Sequence, residues 1–227
     1  MDNIYGFATG YDRIMDDVSR VAGYLWEKGW AERNAGNMSA NITGMIDLEQ
    51  DALKNNTVHK LSKGFPGLAG QIILLTGTGT RMRDIALDPD SFTCQIRIMK
   101  SGDAFQKISS VDTASEVWPT SELPTHLAIH EELVSEGSSR KAILHTHVNE
   151  LIALTQISEF NTEDKINNLL WSMHPETVFF IPEGAGLVPY SLPGTDKMAL
   201  MTLEKLKEHH AVIWEKHGAL ATGENLL

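Results

Sequence analysis

A single cysteine, Cys94, stands among 227 residues, so no intrachain disulfide can form and a reducing compartment suits the chain. Positive charge is also scarce. Against 30 Asp plus Glu there are 19 Lys plus Arg, a formal net charge of −11. Duplex nucleic acid calls for a basic face, and this balance argues against such a partner. No apolar run approaches the roughly 18–20 residues that span a bilayer. The opening Met1-Asp2-Asn3-Ile4-Tyr5 has neither the basic region nor the apolar core of a signal peptide. These absences predict a soluble, cytoplasmic protein with no nucleic acid and no membrane among its partners. No internal repeat, low-complexity tract or linker breaks the chain. At roughly 100–200 residues per domain its length allows one large domain or two small ones. With 42% hydrophobic and 22% charged residues, the composition excludes wholesale disorder.

What is present alternates between two hydrophobic periods. Tyr11, Ile14, Met15, Val18, Val21, Ala22, Leu25 and Trp26 follow helical spacing up to Gly29. Residues 38–46 read as a strand and 47–70 as loop or short helix. Ile72-Ile73-Leu74-Leu75 is a buried strand running into Thr76-Gly77-Thr78-Gly79-Thr80, and Cys94, Ile96 and Ile98 alternate as in a half-buried strand. Ser121 precedes a helix over 122–136 with Pro124 in its first turn. Strands are expected at 142–147, 177–181, 187–190 and 211–214, with helices over 149–157 and after Thr195. Strand-like Ala219–Thr222 and a helix start at Gly223-Glu224 close the chain. This pattern predicts one α/β or α+β domain around a single sheet.

Nine histidines are the unusual count. His145 and His147, two apart on a strand, leave the same face with Cα atoms about 6.6 Å apart. That separation lets both imidazoles reach one zinc ion, and equally describes two hydrogen-bonded strand histidines. His217, before Gly218, would complete a three-ligand set with one open position, the arrangement of catalytic zinc. With one cysteine, a thiolate-rich structural site is impossible. Glu122, at a helix N-terminus, reads as a carboxylate favouring the helix dipole or as a general acid or base beside a metal. Asn34-Ala35-Gly36-Asn37, Thr78-Gly79 and Thr120-Ser121 offer amides, hydroxyls and free N–H groups suited to a phosphate, though each is also a common turn.

Six segments, KGWAERNAGN at 28–37, LTGTGTRMRDIALDP at 75–89, PTSELPTH at 119–126, HTHVNELIALT at 145–155, PEGAGLVPYSLPGTD at 182–196 and WEKHGAL at 214–220, together resemble the class II aldolase family, over essentially the whole chain. The resemblance implies a three-layer α/β/α fold with a largely antiparallel central sheet, assembled as a homotetramer with active sites at subunit interfaces. It implies one zinc per subunit, held by His145, His147 and His217, with Glu122 as catalytic acid/base. Asn34, Asn37, Thr78, Gly79, Thr120 and Ser121 match positions holding substrate phosphate or neighbouring oxygens. Glu176 matches a glutamate that reaches an adjacent subunit's site and assists proton transfer. Two departures are visible. Thr78 stands where relatives often carry serine, and Ala35 replaces a glycine.

The implied reaction is reversible cleavage of the sugar phosphate L-rhamnulose 1-phosphate to dihydroxyacetone phosphate and L-lactaldehyde, within rhamnose catabolism. Zinc would act as the Lewis acid, and no lysine Schiff base is needed. Within the family, 4-epimerases carry Asp where Glu122 stands, while fuculose 1-phosphate cleavage differs in aldehyde stereochemistry. A metal-free binding module, as in the adducin head, would not need three histidines and Glu122. Relatives continue past the His-Gly segment, so residues 1–227 are expected to form one class II aldolase-like domain lacking its C-terminal end.

Overall fold

The computed structural model describes residues 10–46, 57–108 and 117–227. Among them nine strands form one sheet: β1 (Asn37–Asn41), β2 (Val58–Lys60), β3 (Ile72–Thr76), β4 (Thr93–Ile98), β5 (Ala104–Ile108), β6 (Ala142–Thr146), β7 (Gly186–Val188), β8 (Ala211–Trp214) and β9 (Gly218–Gly223). Their spatial order is β2-β5-β4-β3-β1-β6-β9-β8-β7. Every neighbouring pair is antiparallel except β7 with β8. The helices are α1 (Gly10–Glu27), α2 (Met82–Ile85), α3 (Pro89–Phe92), α4 (Leu123–Ser135), α5 (Asn149–Leu154), α6 (Glu163–Met173), α7 (Pro175–Phe180) and α8 (Asp196–Leu206).

The layering follows from strand alternation. In β3, Ile72 and Leu74 pack with Ile14, Val18, Val21 and Leu25 of α1, whereas Ile73 and Leu75 pack with Leu127 and Ala128 of α4. Both faces of β3 are therefore buried, which is why its sequence is a continuous apolar run rather than an alternating one. At the other end of the sheet, Val212 and Trp214 of β8 face α4 and α8, while Ile213 faces Ile166 of α6. Helices thus cover both faces of a mostly antiparallel sheet, as expected.

The predicted helices at 11–26 and after Thr195 are present. The Thr195 hydroxyl caps α8 by accepting from the Met198 N–H at 3.3 Å. The predicted strand at 177–181 is instead helix α7. Pro175 at its first position is preset for a helix start, and Val178, Phe179 and Phe180 are exposed, so they fill no place in the sheet. No helix starts at Gly223-Glu224: β9 ends at Gly223, and Leu226 packs into the α1 cluster. The strand expected over 38–46 is shorter, ending at Asn41. The expectation for 47–70 lies partly outside the described residues. Its described part carries β2 and a short 3-10 turn at Pro66–Leu68. Among the described residues no helix is long and apolar enough to cross a membrane.

Candidate active site

Five separate segments meet at one end of the central strands. They line a cavity of about 450 Å³, within the ordinary range for small-ligand sites. The first is the turn leading into β1, where Arg33 and Gly36 both take positive φ (53° and 77°). A side chain at Gly36 would place its Cβ 2.9 Å from the His145 carbonyl oxygen, so this turn must run close against β6. Asn34 lines the cavity, and Asn37, the first residue of β1, lies opposite His145 in the β1–β6 register.

Thr78 and Gly79 follow β3, and Thr120 and Ser121 precede α4. The two loops are tied together where Thr78 N–H donates to the Trp118 carbonyl at 2.8 Å and Thr120 N–H to the Thr76 carbonyl at 3.1 Å. All four predicted anion-binding residues line the same cavity as Asn34 and Asn37. Glu122 is the N-cap residue of α4, but its carboxylate makes no capping bond. It turns into the cavity instead, accepting from Asn37 Nδ2 at 3.3 Å.

His145, in β6, is wholly buried. His147 stands just past the strand, its N–H donating to the Trp30 carbonyl at 2.9 Å. His217 sits in the tight turn between β8 and β9, where Lys216 has φ 62°. A Cβ on Gly218 would lie 2.2 Å from the Thr146 carbonyl oxygen, so the glycine is what lets this turn press against β6. One nitrogen from each histidine lies within 4.8 Å of the others. Trp214 packs beside the His145 and His217 rings, at centroid distances of 4.4 and 5.2 Å. Glu122 Oε1 is 3.9 Å from His145 Nε2 and 4.0 Å from His217 Nε2.

Burial sets the electrostatics. It pushes His145 down to about 3 and His217 to about 4, and lowers His147 as well. All three imidazoles are therefore neutral at neutral pH, with lone pairs to give. Burial acts on Glu122 in the opposite sense and raises its pKa. The Asn37 hydrogen bond and the nearby His217 and His147 partly oppose that rise. A buried carboxyl with a raised pKa beside neutral imidazoles has the profile of a general acid or base.

The family model described as Class II Aldolase and Adducin N-terminal domain matches residues 16–227. The chain belongs to the class II aldolase and adducin family. A rhamnulose-1-phosphate aldolase from Bacteroides thetaiotaomicron is 44% identical over 208 residues, 91% of this chain and 76% of that protein. One from Klebsiella pneumoniae is 33% identical over 205 residues, covering 88% and 73%. Among solved structures, a sugar-phosphate aldolase from Thermotoga maritima has a TM-score of 0.78 at 31% identity, covering 95% of this chain and 86% of that one. With that likeness the chain is a lyase of the aldolase type.

The aldolase site fits a metal ion on its own chemistry. His145 donates from Nδ1 to the Ala219 carbonyl at 2.9 Å, which leaves the Nε2 lone pair directed elsewhere. That Nε2 is buried without a partner, as is Nδ1 of His217. A histidine anchored through one nitrogen and orphaned at the other is arranged as a metal ligand is. Neutral imidazole donors suit zinc.

Glu176 is the one predicted site residue that does not line the cavity. It lies on α7, exposed, with its carboxylate 3.9 Å from His174 Nδ1. Sequence reasoning did not single out Arg33, which is the only Lys or Arg lining this cavity among the described residues. Nor did it single out Ser39, His126 and His130, whose polar atoms connect to Asn37 behind the cavity. The one available signal was the spacing of Glu122, His126 and His130 at i, i+4 and i+8 along α4. The lone cysteine has no part in the site: Cys94 is buried in the sheet, and burial pushes its thiol up to about 12.

Proposed function

We propose that this chain is a zinc-dependent aldolase of the cytoplasm. Its reaction is reversible cleavage of L-rhamnulose 1-phosphate to dihydroxyacetone phosphate and L-lactaldehyde. One observation carries the reading: Glu122 Oε1 stands 3.9 and 4.0 Å from two of three clustered, neutral imidazoles, inside a polar cavity large enough for a sugar phosphate. The rhamnulose-1-phosphate aldolases among its relatives support the substrate.

His145, His147 and His217 hold the metal. Bound there, zinc supplies Lewis-acid stabilisation of the negative charge that a carbon–carbon scission leaves on the ketose. Asn34, Asn37, Thr78, Gly79, Thr120 and Ser121 bind the phosphate and its neighbouring oxygens. Anchoring that non-reacting end orients the reacting carbons against Glu122. Glu122 then moves one proton at C3. In cleavage the C3–C4 bond breaks and its electron pair goes to C3, the C4 hydroxyl becomes the aldehyde carbonyl by giving its proton to solvent, and Glu122, entering in its protonated form, delivers its own proton to C3. In condensation Glu122 removes that proton from dihydroxyacetone phosphate. Glu176, exposed on α7, serves the site of a neighbouring subunit in a homotetramer, where it assists proton transfer.

Glu122→Gln tests the reading. The amide is isosteric and cannot exchange the proton, so zinc content should stay near one per chain while turnover falls by about 10²–10⁴. Wild-type turnover in that variant would contradict the assignment.

A further inference from the structure

Behind Glu122 a line of buried polar groups continues into the core, and beyond Asn37 the proposed reaction makes no use of it. Glu122, His126 and His130 fall on one stripe of α4 and its N-cap, four residues apart, a spacing of about 6 Å along a helix. Asn37 and Ser39 fall two apart on β1, about 6.6 Å along a strand, so the two rows run in step. Asn37 Nδ2 donates to Glu122 Oε2 at 3.3 Å. Asn37 Oδ1 meets His126 Nε2 at 2.5 Å. Ser39 Oγ lies 2.6 Å from His126 Nδ1 and 2.8 Å from His130 Nε2. Asn37, Ser39, His126 and His130 are all buried, none more than 7% exposed. A polar group so placed costs stability unless each bond has one donor and one acceptor.

That requirement fixes the direction of every bond. Toward an ionised Glu122 carboxylate, which only accepts, Asn37 must present its NH2, so its carbonyl oxygen faces His126. His126 must then donate from Nε2, leaving Nδ1 as an acceptor. The Ser39 hydroxyl donates to that Nδ1, and having one hydrogen it accepts from His130, which donates from Nε2. Burial holds both rings neutral, His126 well below its ordinary pKa and His130 down at about 3. Each histidine therefore carries one proton, at the nitrogen the chain demands.

We propose that His126, Ser39 and His130 are positioning residues of this aldolase: a one-directional hydrogen-bond chain that locks the Asn37 amide with its NH2 on Glu122 and so holds the carboxylate in place. The proposal rests on the acid/base role given to Glu122. The opposite tautomer at His126 would set a lone pair against Asn37 Oδ1 and favour a flipped amide. The flipped amide would turn an oxygen toward the carboxylate and push it out of position. No proton needs to travel along the chain. Its contribution is geometric, so it belongs to the chemical step rather than to substrate binding.

The test has two arms. In ¹⁵N spectra of histidine-labelled, zinc-loaded protein, assigned with His126→Gln and His130→Gln, both rings should be Nε2–H tautomers. An Nδ1–H tautomer at His126 overturns the proposal. In the cleavage assay with L-rhamnulose 1-phosphate, Ser39→Ala and His126→Leu should lower kcat about tenfold or more, with KM within about threefold and zinc content unchanged. His126→Gln, which keeps an N–H near the Nε2 position, should recover most of the turnover lost in His126→Leu. Should His126→Leu not fold, the smaller Ser39→Ala change decides. Full turnover in Ser39→Ala beside an inactive Glu122→Gln overturns the chain alone, whereas wild-type turnover in Glu122→Gln overturns the acid/base role together with it.

Discussion

Glu122 and His130 lie on one stripe of α4, and burial moves them in opposite senses. It raises the pKa of the carboxyl and lowers that of the imidazole to about 3. In both cases burial opposes the charged form, which eases proton uptake by the first and keeps the second a neutral dipole. The depressed histidines carry a stability consequence. His126 and His130 stay neutral in the folded chain, each with its single ring proton, whereas in the unfolded chain each takes up a second below about pH 6.5. Their contribution is present above about pH 6.5 and is lost as pH falls from there, for His130 toward its folded value of about 3. Each contributes a slope of about 1.4 kcal/mol per pH unit within that window. The urea midpoint of the metal-free protein should therefore drop steadily between pH 7 and pH 5, and less steeply in His130→Gln. A midpoint independent of pH across that interval would contradict the neutral, buried state of these rings.

At the scale of elements, the site depends on turns more than on the helices and strands they join. The segment β8–turn–β9 delivers His217 to His145 only because Gly218 has no side chain, the space for a Cβ there being taken by the Thr146 carbonyl. Gly218→Ala should push the turn outward. The expected result is a loss of zinc affinity of tenfold or more, read by competition with a chromophoric chelator. Near wild-type affinity would show that the turn yields without moving His217. The clustered histidines were legible because His145-x-His147 and His217-Gly218 keep a recognisable spacing. Helix α7 was not, because Thr177-Val178-Phe179-Phe180 has the β-branched and aromatic composition of a strand while Pro175 starts a helix. Helix α6 was missed for a different reason: Ile166 and Asn167 are its only buried residues, too few to draw a periodic stripe. Nor did composition mark β2 or β5, short strands at one edge of the sheet.

For the whole molecule, the three-layer plan follows from a few strongly patterned segments. The stripe of α1 and the unbroken apolar run of β3 specify a sheet covered on both faces, and the structure has that arrangement. What the pattern does not carry is the strand order, since β1 lies between β3 and β6 and β6 beside β9 through pairings remote in sequence. That order brings Asn37, Thr78, Glu122, His145 and His217 into one cavity from positions spread over most of the chain. The resemblance to class II aldolases supplied that convergence before the topology was in view. The buried line from Asn37 to His130 became visible only with side-chain distances.

The central claim is that three histidines hold a metal on which Glu122-assisted cleavage of a sugar phosphate depends. Release of dihydroxyacetone phosphate from L-rhamnulose 1-phosphate tests it most directly, followed before chelation, after chelation and after zinc is restored. The account predicts release that is lost with the metal and regained with zinc. Release that survives complete chelation, or none from folded and zinc-loaded protein, would contradict it.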